Sequence, residues 1–333
     1  TPTTSGNYNI SYLMAATSFI DGDVLFKKML ENRQDVAMRL AQENSAWVAL
    51  DNGHKMVYDS IGRGMYPYGY GSTSQEVLIY SFLGAYSGQD GNKASLTLFK
   101  KFALPNWTLN FTGLTKIPAI KKVFKTVNIS HSYKSAYSIS QWASNVNYDA
   151  QNMLAVYEGT NLRVPEFDMS QVTLSEQYAP LIGIKLTFKN SLAPSFDYKK
   201  SRTLTLTFSN NQVTEVEGRE IVIGCGYTFK DLGFSITLLD GSNKRKISND
   251  LTLKLDIGFR RDKTTLRSIN ESYSQISSGQ RKMNVYFTAD YNFSQRLSAQ
   301  AFFKYDMTNP YIANSYKTTN TYAGITLRFS LTQ

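Results

Sequence analysis

The sequence predicts an all-β fold: an antiparallel transmembrane β-barrel segment of about twelve strands, with one amphipathic helix in a long loop. Three observations lead there. Apolar residues recur at every second position in stretch after stretch, which gives each strand one apolar and one polar face. No run approaches the roughly 18 to 20 uncharged apolar residues that a membrane helix needs, and a membrane barrel escapes that scan because its apolar residues are diluted by polar ones. Aromatic residues are 13% of the chain, with Tyr 22 and Phe 19, which suits a narrow apolar belt.

In chain order, the start TPTTSGNYNI has neither an initiator Met nor the basic and apolar regions of a signal peptide, so a processed chain or a piece of a longer one is expected. A weak strand candidate covers 8 to 20. The stretch 22 to 44 then spaces Phe26, Met29, Leu30, Val36, Ala37, Leu40 and Ala41 for a helix, with Asp21 or Asp23 as N-cap. It lies in a long loop, 21 to 75, whose end is glycine-rich and contains Pro67. Further weak strands are expected at 77 to 86, 94 to 102 and 106 to 114.

The stronger strands follow. Val127, Ile129, Tyr133, Tyr137 and Ile139 mark one, and a second long connection is expected over 145 to 178. Ile182 to Phe188 alternates next, and then Leu204, Leu206 and Phe208 alternate with Thr203, Thr205 and Thr207. Ile221 to Phe229 follows. Leu251, Leu253, Leu255, Ile257 and Phe259 then alternate with Thr252, Lys254 and Asp256. Met283 to Tyr291, Leu297 to Tyr305 and Ala323 to Leu331 complete the set.

Such strands run about 10 to 13 residues, longer than the 5 to 6 usual in soluble sandwiches and enough for the roughly 25 Å apolar band of an outer-membrane barrel. The outward-facing, lipid-contacting set is then Leu251, Leu253, Leu255, Ile257 and Phe259, and the lumen-facing set is Thr203, Thr205, Thr207, Lys254, Asp256 and Lys304. With the C-terminus in the periplasm, 292 to 295 is a periplasmic turn, 262 to 281 and 308 to 319 face outward, and 231 to 248 is a long periplasmic connection.

The formal net charge is +10, from 36 Lys and Arg against 26 Asp and Glu, but the charges are spread over alternating positions and loops. Nucleic acid is therefore not expected as a partner. A single cysteine, Cys225, and two histidines, His54 and His131, give no disulfide and no thiol or histidine metal cluster, so no metal and no cofactor is expected. The SHS stretch at 130 to 132 invites comparison with barrel hydrolases, yet strand parity turns Ser130 and Ser132 away from His131. No catalytic residue is assigned. The glycines in 69 to 72 follow no buried strand and open no helix, so they read as turn chemistry. Near the C-terminus Tyr322, Gly324, Leu327 and Phe329 form a polar-x-Gly-x-x-apolar-x-aromatic pattern, similar to the signal by which barrel-assembly machinery recognises a last strand.

Longer stretches carry a resemblance: SEQYAPLIGIKLTFKNSL (175 to 192), RTLTLTFSNNQVTEVEGREIVIGCGYTFKD (202 to 231), ISNDLTLKLDIGFRRDKTTLRSI (247 to 269), and the segment from 279 to 331 that includes TNTYAGITLRFSL. Upstream, FKKMLENRQDVAMRLAQEN, EVLIYSFLGAYSGQD and LPNWTLNFTGL join them. Together they resemble the SprA/Sov family, the giant outer-membrane translocon barrel of the type IX secretion system of Bacteroidota. Members are far longer, so the resemblance implies that 1 to 333 is the C-terminal part of one much larger barrel, closed by strands outside this sequence because open edges are not tolerated in lipid. It also implies an outer-membrane, protein-conducting channel with no enzymatic activity, passing folded cargo that carries a C-terminal signal domain. The implied partners are a PorV-like smaller outer-membrane barrel, a periplasmic plug protein, and the lipids and lipopolysaccharide of the membrane. The alternatives are a self-contained outer-membrane porin or fatty-acid-type channel, and an outer-membrane hydrolase.

Overall fold

The alternating stretches pair into one large antiparallel sheet, and much of the sequence that breaks alternation stacks on one of its faces. The computed structural model describes residues 3–237, 244–294, 296–312 and 315–330, with the side chains of 234–237 and 244–248 left aside. In chain order the elements are β1 (Ser5–Ser11), α1 (Gly22–Glu43), α2 (Ser45–Val48), β2 (Met56–Asp59), β3 (Gly64–Pro67), α3 (Gln75–Tyr86), β4 (Trp107–Phe111), α4 (Pro118–Val123) and β5 (Phe124–Ser144). They continue as β6 (Phe167–Asp168), β7 (Gln171–Phe188), β8 (Leu192–Thr207), β9 (Gln212–Thr237), β10 (Lys244–Ser268), β11 (Tyr273–Asn292), β12 (Leu297–Pro310) and β13 (Thr318–Phe329).

Eleven strands share the large sheet, in the order β1-β5-β7-β8-β9-β10-β11-β12-β13, with β4 and β6 also on β5. The sheet is not closed. From β7 onward every neighbour in space is the neighbour in sequence, as hairpin connections require. The tight turns 208–211 and 269–272 lie at one end of the sheet, the upper end below, and 189–191 at the lower. On the far edge, β1 covers the upper half of β5 and β4 the lower half, so residues 12–106 leave the edge and return to it.

That excursion builds a helical layer. The helix expected over 22 to 44 is α1, and Asp21 is its cap: the side chain accepts from the Asp23 amide at 2.9 Å. Leu25, Phe26, Met29 and Val36 face α3 and the sheet, where Tyr137, Ile139, Val172, Leu174, Leu204, Leu206 and Val213 complete one continuous core. A second cluster, Ala37, Ala41, Trp47, Tyr66, Tyr70 and Val77, ties α1 to the β2–β3 hairpin.

Several expected strands are corrected. The stretch 77 to 86 is α3, not a strand; every residue from Val77 to Tyr86 is buried, so no polar face exists to reveal the helical period. Pairing of β1 stops at Ser11, and Ala15–Thr17 form a 3-10 turn instead of extending a strand to 20. Residues 94–102 hold no strand, and 106 to 114 shrinks to β4. The loop 21 to 75 contains two helices and a hairpin, and the connection from 145 ends where β7 begins at Gln171.

The strands are also longer than expected. β9 has 26 residues and β10 has 25, so 262 to 281 is mostly paired strand around the turn 269–272. Likewise 231 to 248 is no open connection: Thr237 pairs with Lys244, while 238–243 lie outside the described residues. At 292 to 295 a short connection joins β11 to β12, with Gln295 outside the described residues, as are 313–314 of the connection 308 to 319 and Leu331 beyond β13.

Candidate functional site

Register carries side-chain direction from strand to strand, because directly opposite residues point to the same face. Leu255 lies between Cys225 and Phe287, Ile257 between Ile223 and Val285, and Phe259 between Ile221 and Met283. Phe287 continues to Phe303 and Ala323. Leu251 and Leu253 lie on the same face beside Phe229 and Tyr227. These side chains remain partly uncovered: Ile223, Phe259, Ile325, Leu327 and Phe329 are exposed here, as are Leu109, Phe111, Ile129 and Ile182 towards the other edge.

The opposite face is polar. Lys254 lies between Gly226 and Thr288, and Asp256 between Gly224 and Tyr286. Lys304 is on this face and pairs with Asp306 at 2.8 Å. Thr203, Thr205 and Thr207 point the same way, with Thr205 Oγ1 3.3 Å from Thr173 Oγ1. Leu204 and Leu206 share the apolar face with Leu255, but α1 and α3 bury them completely.

The apolar face therefore changes character with height. From Leu251 to Phe259 it is uncovered and apolar over about 27 Å of strand, close to the roughly 25 Å band of outer-membrane barrels. The next row up is basic: Lys200, Arg219, Arg261 and Arg281 are successive cross-strand neighbours. Above it the helical layer sits on an ionic cluster.

Glu215 is the centre of that cluster. Its carboxylate takes Arg202 Nε at 2.6 Å and Arg267 Nη1 at 2.5 Å, and all three side chains are within about 2% of complete burial. Arg267 Nη2 also reaches Asp23 at 3.1 Å, in the first turn of α1. Gly22 lies against Glu215 and Arg267 so closely that a Cβ there would collide with both, which explains a glycine at a helix start. Arg202 Nη1 donates to the Thr17 carbonyl at 3.3 Å and its guanidinium lies 5.3 Å from the centre of the Tyr86 ring. Beside it, Glu176 accepts from Ser18 Oγ and from Tyr133 OH, and Lys200 Nζ donates to the Ser18 carbonyl. Burial raises the Glu176 pKa above its ordinary value, opposed by those hydroxyls and by Arg202 and Lys200. Segment 14–23 is thus pinned by buried charge and hydrogen bonds to four sheet strands, β5, β7, β8 and β10, the first through the Met14 amide, which donates to Tyr133 OH at 3.0 Å.

The C-terminal pattern spans both faces of β13. Leu327 and Phe329 lie on the apolar face opposite Ala299 and Leu297, and Tyr322 lies on the polar face opposite Lys304. Gly324 receives the ring of Phe302 across the strand pair; a Cβ there would lie 2.9 Å from the ring, so the aromatic packs on bare backbone. His131 has Nδ1 2.7 Å from the Leu181 carbonyl and stacks on Trp107, while Ser132 Oγ bonds Thr108 Oγ1 at 3.0 Å. That geometry brings no serine to the histidine among the described residues.

Alternation alone did not reveal the basic row or the ionic cluster. Their signal is charge at positions that parity assigns to the apolar face: Arg202, Glu215, Glu217, Arg219, Arg261, Lys263 and Arg267. Among the described residues no group of His, Cys, Asp and Glu could hold a metal ion, and no helix is long and apolar enough to cross a membrane. No protein-family model matches the chain, and no curated protein matches it.

Proposed function

We propose that this chain is part of the wall of a large outer-membrane β-barrel whose polar face lines a protein-conducting channel, as the resemblance to the SprA/Sov translocon implies. The observation that carries the reading is the gathering of exposed large apolar side chains, from Leu109 and Phe111 on β4 to Leu327 and Phe329 on β13, onto one face of one sheet. Water-soluble proteins rarely leave contiguous apolar patches beyond a few hundred Å² uncovered, whereas a lipid-facing barrel wall requires them. The unclosed sheet favours a larger barrel over a self-contained twelve-strand porin, since neither edge is tolerated in hydrocarbon unpaired. Threonines, Lys254 and Asp256 give the other face a hydrated surface to which passing folded cargo would not adhere. On this reading the partners are cargo with C-terminal signal domains, a PorV-like barrel and a periplasmic plug protein.

A photo-crosslinking residue introduced at Asp256 or Thr205 in secreting cells is expected to capture cargo, and the same residue at Leu255 to capture only lipid. Capture from Leu255 but not from Asp256, or no capture at any polar-face position while cargo is secreted, would count against the channel.

A further inference from the structure

The row that separates the apolar band from the helical layer has an unexplained charge pattern. Arg261 lies directly opposite Arg219 on one side and Arg281 on the other, so three guanidinium groups stand side by side on one face. Like charges in directly opposed positions repel and destabilise the strand pairs that carry them. On the polar face at nearly the same height Arg260 pairs with Asp262 at 2.9 Å and Lys199 with Glu220 at 3.3 Å, and Lys282, opposite Arg260, is the one cation of that row without an acid among the described residues. On the apolar face Arg219 has, among the described residues, only Glu217, at 3.8 Å. Among the described residues no carboxylate pairs with Arg261 or Arg281; both flank the ring of Tyr311, and Arg281 Nε donates to its hydroxyl at 3.1 Å.

Immediately below the arginines is a groove of about 530 Å³, floored by Phe196, Tyr198, Ile221, Phe259, Met283 and Met307. The site therefore joins a cationic rim to an apolar trough running across the strands beneath it, since Tyr198, Ile221, Phe259, Met283 and Met307 are successive cross-strand neighbours. Guanidinium forks match phosphate oxygens in bidentate geometry, and an anion shared among three of them would remove their mutual repulsion. The trough spans β8 to β12, four interstrand spacings or about 19 Å, and its apolar lining suits an acyl chain lying across the strands. A free phosphate would satisfy the rim and leave the trough bare.

We propose that Arg219, Arg261 and Arg281 bind the phosphate of an acylated, phosphorylated lipid headgroup, with one acyl chain lying in the trough between Phe196 and Met307. This rests on the reading that the apolar face meets lipid, and it adds a defined headgroup position at the upper rim of the band.

The test uses the intact protein extracted from its native membrane in uncharged detergent. Binding of a fluorescent acylated disaccharide is compared in its phosphorylated and dephosphorylated forms, with inorganic phosphate as competitor. The phosphorylated form is expected to bind about tenfold more tightly or better, Arg261→Gln with Arg281→Gln is expected to abolish that preference, and millimolar inorganic phosphate is expected to leave it intact. Equal binding of the two lipids by the unaltered protein would overturn the proposal without any variant having to fold. So would a preference unchanged by the double substitution, or one lost to inorganic phosphate alone. The bound-detergent mass of the same preparation separates the two failures: a detergent belt without phosphate preference sinks only this proposal, whereas no belt at all sinks the lipid-facing wall.

Discussion

Replacing Glu215 by alanine is expected to loosen the helical layer from the sheet at a cost of about 3 to 5 kcal/mol, the usual penalty for leaving one side of a buried ion pair uncompensated. The substitution would leave Arg202 and Arg267 facing each other in a site that water does not reach, since both are at most 2% exposed. The relief available is local opening: segment 14–23 and the first turn of α1 lift, and solvent enters. Hydrogen exchange over 14–43 should rise by orders of magnitude, while the β9–β10 ladder keeps its protection. A triple apolar replacement, Arg202→Met with Glu215→Leu and Arg267→Met, should recover much of the loss, because removing all the buried charge removes the desolvation penalty too. Unchanged exchange over 14–43 in Glu215→Ala would show that the helical layer is held by its apolar contacts alone.

The second large effect concerns the uncovered band. Leu255 lies midway between Leu251 and Phe259, with Cys225 and Phe287 beside it. Leu255→Arg is expected to cost roughly 2 to 4 kcal/mol, as for arginine at the midplane of a barrel's lipid face, and to reduce the folded fraction seen by heat-modifiable gel mobility. Lys254→Arg and Asp256→Asn, one residue away on the polar face, should assemble normally. Equal assembly of all three variants would mean that the Leu255 side does not meet hydrocarbon.

How much of this was legible in the sequence depends on which contacts set the pattern. Period two marked the strands wherever one face must be apolar, as at 251 to 259, and the helical spacing of 22 to 44 matched α1 to within a residue at its end. The extended upper parts of β9 and β10 were not legible, because above the band the same face carries Glu215, Glu217, Arg261, Lys263 and Arg267 instead of leucine. Charge there is balanced by partners distant in sequence: Asp23, Arg202, Glu215 and Arg267 meet only once the sheet has formed and α1 has docked. The helix α3 failed for the opposite reason. It is apolar on every side, so its sequence carries no period, and a short apolar run alone does not distinguish a strand from a buried helix.

The two-faced wall is the claim on which the other readings rest, and Cys225 tests it most directly. It is the chain's single cysteine, lies beside Leu255 on the apolar face, and is exposed. In native membranes a charged thiol reagent should modify Cys225 slowly, and should modify Cys225→Ser with Asp256→Cys faster by about a hundredfold, the factor that corresponds to keeping a charge out of the apolar belt. Equal rates at the two positions, or faster reaction at Cys225, would contradict a wall with lipid on one side and water on the other.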